Sequence, residues 1–172
     1  MKIRRATTDD AGSLARLHVD AWRAAYRGLV PDERLANLSY ARSAERFRRS
    51  LAEGAEETYV AGKTGEAAGF VTLGACHDAD VDQETTGEIC CIYLAPTHWR
   101  KGLGTLLCRF AEETLRTRGY RTVTLWVFAG NARGTCFYEA MGYVPDGATK
   151  VLDVGAPLEV VRYRRALLNA RR

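Results

Sequence analysis

Hydrophobic and polar positions along the chain change period several times, and each change predicts an element. Residues 2–6 suit a short strand. Thr8 or Asp9 then caps a helix that runs to about Tyr26, with Leu14, Leu17 and Ala21 on one face. Gly28 and Pro31 stop it. A second helix starts with Pro31 in its first turn and acids behind it, and is expected to continue to about Glu53. Its inward positions would be Leu35, Leu38, Ala44, Phe47 and Leu51. The period then shortens to two. Residues 56–63 and 67–76 read as a hairpin turning at Lys63–Gly65, and residues 86–96 as a third strand stopped by Pro96. Gly102 to Arg118 is an amphipathic helix with Leu103, Leu106, Leu107, Phe110, Ala111 and Leu115 on one side. A β-branched and aromatic strand covers 121–129. Gly130 and Asn131 turn into a short helix ending near Met141, and residues 143–147 and 158–167 supply the last strands. Strands that meander first and alternate with helices later predict an α/β fold, specifically an α+β mixed sheet, mostly antiparallel, with helices on both faces.

Composition narrows the class. The length of 172 residues fits one domain, 1–172, and 47% hydrophobic residues are enough to fill its core. No apolar run approaches the roughly 18 residues that cross a bilayer, and the charged N-terminus lacks the apolar stretch of a secretion signal. Of the five cysteines, Cys90 and Cys91 are adjacent and none form a CxxC pair. That pattern argues against a zinc ribbon or a disulfide scaffold and for a reducing cytoplasm. No His/Cys/Asp cluster has metal-ligand spacing, so no metal is expected.

The net charge of +4 is too mild to suggest nucleic acid, but it is unevenly spread. Residues 1–50 carry a balance of +5, residues 51–90 one of −8 and residues 91–172 one of +7. An anionic and a cationic ligand could therefore be held by different parts of one surface.

The most specific stretch is Glu88 to Thr105. A strand enters a loop with glycines at 102 and 104, and a helix begins there beside Arg100 and Lys101. Free N–H groups, the positive end of a helix dipole and two cations describe a pyrophosphate site. It is neither of two common phosphate loops: no GxxxxGK[ST] string exists, and Leu107 occupies the third glycine position of GxGxxG.

This span, together with residues 130–143, resembles the GCN5-related N-acetyltransferase (GNAT) superfamily. That family's [QR]-x-x-G-x-[GA] loop appears as Trp99-Arg100-Lys101-Gly102-Leu103-Gly104, with Trp99 where Gln or Arg is usual. Its N-x-[RA]-x-x-x-F-Y-x-x-x-G-[FY] motif appears in full as Asn131, Arg133, Phe137, Tyr138, Gly142 and Tyr143. The resemblance implies an acetyl-CoA-dependent N-acetyltransferase acting on a primary amine, by direct attack in a ternary complex. It implies that backbone groups of Ile92, Tyr93 and Leu94 bond the pantetheine, that Trp99 to Thr105 hold the pyrophosphate, and that Asn131 reaches the cofactor. Tyr138 would give a proton to the departing thiolate. Glu88, fourteen residues before Gly102, is the candidate base, or else a strand-start carboxylate facing solvent.

The acceptor is expected to be a small-molecule or peptide amine. Asp78, Asp80, Asp82 and Glu84, ahead of the Glu88 strand, suggest a cationic one, or else only a solvated loop. His18, Trp22 and Tyr26, four apart, either wall the acceptor pocket or belong to the core. A ping-pong route through Cys90, Cys91 or Cys136 is the covalent alternative. A non-catalytic acyl-CoA sensor or partner module is the non-enzymatic one, disfavoured because Glu88 and Tyr138 are both kept. Neither nucleic acid nor membrane is an expected partner, and a homodimer is left open.

Overall fold

The computed structural model describes residues 2–63 and 65–167. Strand β1 (Ile3–Arg5) leads through a 3-10 turn into helix α1 (Ala11–Ala25). The cap is Thr7, whose N–H donates to Asp10 Oδ2 at 2.9 Å, rather than Thr8 or Asp9. Asp10 is fully buried and also takes both Arg4 amino groups at 2.7 Å, which ties the strand to the helix start. The second helix of the sequence reading is two: α2 (Asp32–Ala36) and α3 (Tyr40–Glu53). The break at 37–39 leaves Ser39 extended, so that its hydroxyl accepts from Arg42 N–H and caps α3.

Strands β2 (Glu57–Lys63), β3 (Glu66–Ala75) and β4 (Thr86–Leu94) form the expected antiparallel meander. Helix α4 (Leu103–Thr117), strand β5 (Thr122–Phe128), helix α5 (Ala132–Ala140) and strands β6 (Val144–Asp153) and β7 (Pro157–Ala166) complete the described chain. The sheet order is β1-β2-β3-β4-β5-β7-β6, and only β4 and β5 run parallel. The expected mixed, mostly antiparallel sheet is the one found.

Strand alternation sorts the core onto two faces. Val60 and Phe70 pack with Leu14 and Leu17 of α1, while Ala61, Val71 and Leu73 pack with Leu107, Ala111 and Leu115 of α4. Leu106 departs from expectation. It is 43% exposed, because the buried stripe of α4 is narrower than the run of leucines suggests. No helix among the described residues is long and apolar enough to cross a membrane.

Candidate active site

The site is a gap between strands. β4 and β5 pair only from Thr86–Thr122 to Glu88–Thr124. Opposite, Thr72 pairs Cys91 while Leu73 pairs Ile89, so Cys90 is an extra residue bulged out of β4. A bulge bends and twists its strand, and beyond Glu88 β4 turns away from β5. The opening is a cavity of about 610 Å³, walled by β4, β5, α1, α5, the α4 start and the β6–β7 hairpin.

The bend leaves one edge of β4 without a partner strand. In an antiparallel ladder, alternate residues turn their backbone groups to opposite sides. Ala95 N–H donates to Ala68 O, so Tyr93 faces β3 while Ile92 and Leu94 face the gap. Of the three residues expected to bond pantetheine, Tyr93 therefore offers the cavity its side chain and not its amide. The Leu94 carbonyl already accepts Trp99 Nε1–H at 3.1 Å. Ile92 is left with the freest backbone groups.

The loop before α4 is shaped for an anion. Arg100 (φ 58°) and Gly102 (φ 81°) are both left-handed, a turn in which consecutive N–H groups point inward. The first bond of the helix is Leu106 N–H to Gly102 O, so the amides of Leu103, Gly104 and Thr105 precede any intrahelical acceptor. Arg100, Gly102, Gly104 and Thr105 line the cavity. Arg100 and Lys101 are exposed and form no ion pair among the described residues. A Cβ on Gly104 would come within 3.4 Å of Phe137 and 3.8 Å of Leu94, so the loop is closely cradled there. These free amides and cations fit a pyrophosphate. Trp99, the departure from the family motif, holds the Arg133 guanidinium 4.1 Å from its ring centroid. Arg133 also lines the cavity, so a cation from α5 stands where the motif usually supplies a side chain on the loop itself.

Tyr138 lies in the cavity wall two helical turns beyond Asn131. Burial pushes its hydroxyl pKa well above the usual tyrosine value, so it is protonated at neutral pH. Asn131 also lines the cavity, but its Oδ1 accepts Gly134 N–H at 3.1 Å and caps α5. Glu88 sits on the last rung before the strands part, just below the wall and not in it. Burial raises its pKa above the ordinary carboxylate value, and nearby Asp78 raises it further, with Lys150 opposing.

A model of the Acetyltransferase (GNAT) family matches residues 15–143. The chain belongs to the GNAT family of acetyltransferases. It is 28% identical to the uncharacterized N-acetyltransferase YuaI of Bacillus subtilis, across 84% of this chain and 79% of that protein. A probable N-acetyltransferase of Mycobacterium tuberculosis is 24% identical over 87% of this chain and 83% of its own. Among solved structures, the fold is similar to the PaiA N-acetyltransferase of Thermoplasma acidophilum in complex with coenzyme A. That match has TM-score 0.72 and 20% identity, and covers 96% and 98% of the two chains. The fold is also similar to YncA of Salmonella typhimurium with acetyl-CoA, with TM-score 0.69 and 17% identity over 98% and 95%.

The remaining sequence candidates divide within this GNAT fold. Burial raises the thiol pKa values of Cys90 and Cys91, that of Cys91 to about 11, so both are protonated hydrophobes rather than nucleophiles. Cys136 is exposed in the cavity wall. Trp22 and Tyr26 line the cavity and pack on the core as well, with Tyr26 8% exposed. His18 faces a separate cavity of about 290 Å³ with Arg46 and Glu56, and its Nδ1 is buried without a partner. Burial first, and Arg46 second, lower its pKa to about 4.

The acidic loop does not stand free. Arg162, 4% exposed, donates to Asp78 at 3.0 Å, to both Asp80 oxygens at 2.7 Å and to Asp146 at 2.8 Å. Asp82 accepts Glu84 N–H and Thr85 Oγ1–H within its own turn. Two of the loop's four acids, Asp78 and Asp80, thus fasten it to β7. Sequence reasoning missed Trp126, Phe128, Leu152 and Val154 as cavity residues. Trp126 and Phe128 read as ordinary strand hydrophobicity, and Leu152 and Val154 fall between the two last strands of the sequence reading, at the end of β6 and in the turn after it.

Proposed function

We propose that this GNAT enzyme transfers an acetyl group from acetyl-CoA to a primary amine by direct attack within a ternary complex. The observation that carries the reading is the position of Tyr138, protonated, in the same cavity as Ile92 and the free-amide residues Gly104 and Thr105. Those amides, with Arg100, Lys101 and Arg133, would hold the pyrophosphate. The Ile92 N–H would polarise the thioester carbonyl. The amine nitrogen bonds to that carbon as the carbon–sulfur bond breaks. Tyr138 gives its proton to the leaving sulfur. Glu88, outside the wall, takes the amine's proton through an intervening water, and its raised pKa makes it a stronger base. The protonated state of Cys90 and Cys91 weighs against an acetyl-enzyme. Five free thiols fit work in a reducing cytoplasm.

The test is thiol release from acetyl-CoA by the purified protein across a panel of primary amines, with mass spectrometry of the protein during turnover. Amine-dependent thiol release without an acetylated protein is expected. Amine-independent release, or a stoichiometric acetyl-cysteine, would contradict direct transfer.

A further inference from the structure

The cavity is longer than its donor half. Past Cys90 and Tyr93 it continues between α1, β5 and the β6–β7 hairpin. That continuation has a definite chemistry. Trp22, Tyr26 and Phe128 form an edge-to-face cluster, with centroids 4.9, 5.2 and 6.3 Å apart. Trp126, two residues before Phe128 on the same face of β5, and Val154 pack on this cluster, and both line the cavity with Leu152. The polar handles of both indoles are used elsewhere: Trp22 Nε1–H donates to Tyr93 Oη at 2.9 Å and Trp126 Nε1–H to Asp78 at 3.0 Å. What remains toward the cavity is aromatic and aliphatic carbon.

No carboxylate lines this cavity among the described residues. The acids that a cationic acceptor would need, Asp78 and Asp80, are gripped by Arg162. Lys150 Nζ stands 3.9 Å from the Trp126 ring centroid, at the same end. A polycation would meet Lys150 and find Asp78 and Asp80 already engaged by Arg162, whereas an apolar body would replace water on the exposed face of Leu152, 39% accessible.

We infer that the acceptor is a primary amine with an apolar ring or branched aliphatic body, seated against the apolar wall made by Trp22, Tyr26, Trp126, Phe128, Leu152 and Val154. This rests on the amine-transfer reading above and narrows it. A polycationic amine, the kind of acceptor the acidic residues before β4 suggested, is a poor fit.

The probes are 2-phenylethylamine and 1,5-diaminopentane, assayed with saturating acetyl-CoA and the full chain. The ring amine should have a kcat/KM at least about 10-fold higher, the scale on which apolar pockets discriminate. Leu152→Asp, an exposed position, should lower that ratio about 10-fold or more and leave the KM for acetyl-CoA unchanged. Indole fluorescence titrated with 2-phenylethylamine gives a readout independent of turnover and should saturate in the parent. Equal or better use of the diamine, or a ratio unmoved by Leu152→Asp, overturns the inference while leaving amine transfer intact. Binding of acetyl-CoA with neither amine acetylated and no indole response also overturns it. Absence of acetyl-CoA binding would instead sink the transferase reading and this inference with it.

Discussion

The two halves of the cavity are built differently. The donor half is made within one stretch of chain, residues 90–105, joined by α5 a short distance on. Its groups are mostly backbone amides and glycines, and its side chains are placed by local turns. The acceptor half is made from residues near 22, 126 and 152. It has almost no backbone chemistry and depends on tertiary packing to bring its rings together. A half built from backbone can keep one ligand while its side chains drift. A half built from side chains can change its ligand without disturbing the first. Behind the second half, Arg162 ties the loop before β4 to β7 and β6 through three carboxylates.

Removing that fastening is the most severe way to break the comparison. Arg162→Ala would leave Asp78 and Asp146 close together without their cation. A loss of about 3–5 kcal/mol in unfolding free energy is expected, read by denaturant titration. At temperatures where the variant is folded, the KM for the amine should rise while the KM for acetyl-CoA holds. A rise in both would mean that the two halves are not separable.

His18, at the separate cavity beside α3, gives a pH-dependent test of the fold that carries the acceptor half. Its folded pKa of about 4 lies below the ordinary 6.5, so the unfolded chain binds more protons between those values. Its contribution is favourable above about pH 6.5 and is lost as pH falls toward 4, with an upper bound of roughly 3 kcal/mol. His18→Gln should flatten this part of the stability profile. An unchanged slope would show that His18 is not the group responsible.

On the donor side, Tyr138→Phe should lower kcat about 10²-fold and change acetyl-CoA affinity only a few-fold. Full turnover in that variant would remove Tyr138 from the proton path. Glu88→Gln should have a smaller effect, greatest near neutral pH and fading at alkaline pH, where the amine loses its proton unaided. A parallel loss at every pH would assign Glu88 to positioning rather than proton transfer.

The same contrast explains what the sequence made legible. Gly102 and Gly104 were legible as a glycine-rich helix start, and Asn131 and Tyr138 only through the family motif; all four line the cavity. The succession of strands and helices was readable because it follows from local period, whereas the order of strands across the sheet was not. The break between α2 and α3 was signalled by Asn37 and Ser39 but outvoted by the apolar period running through them. Leu106 was misplaced for a similar reason, since period alone does not say how wide a buried stripe is. The grip of Arg162 on the acidic loop was not legible, because Arg162 lies 82 residues away from Asp80. Trp126 and Phe128 carried no signal beyond that of a buried strand, because their function comes from the bulge at Cys90 on a different strand.

The central claim is that backbone at the α4 start holds the pyrophosphate of acetyl-CoA. Calorimetric titration of acetyl-CoA into the parent and into Gly104→Val tests it most directly. The added side chain must share the space between the loop, Phe137 and Leu94 with the ligand. The account predicts measurable binding in the parent and at least about a 10-fold loss in a variant whose circular dichroism and melting temperature match the parent, equivalent to roughly 1.4 kcal/mol or more. Unchanged affinity in that folded variant would place the pyrophosphate elsewhere and contradict the account.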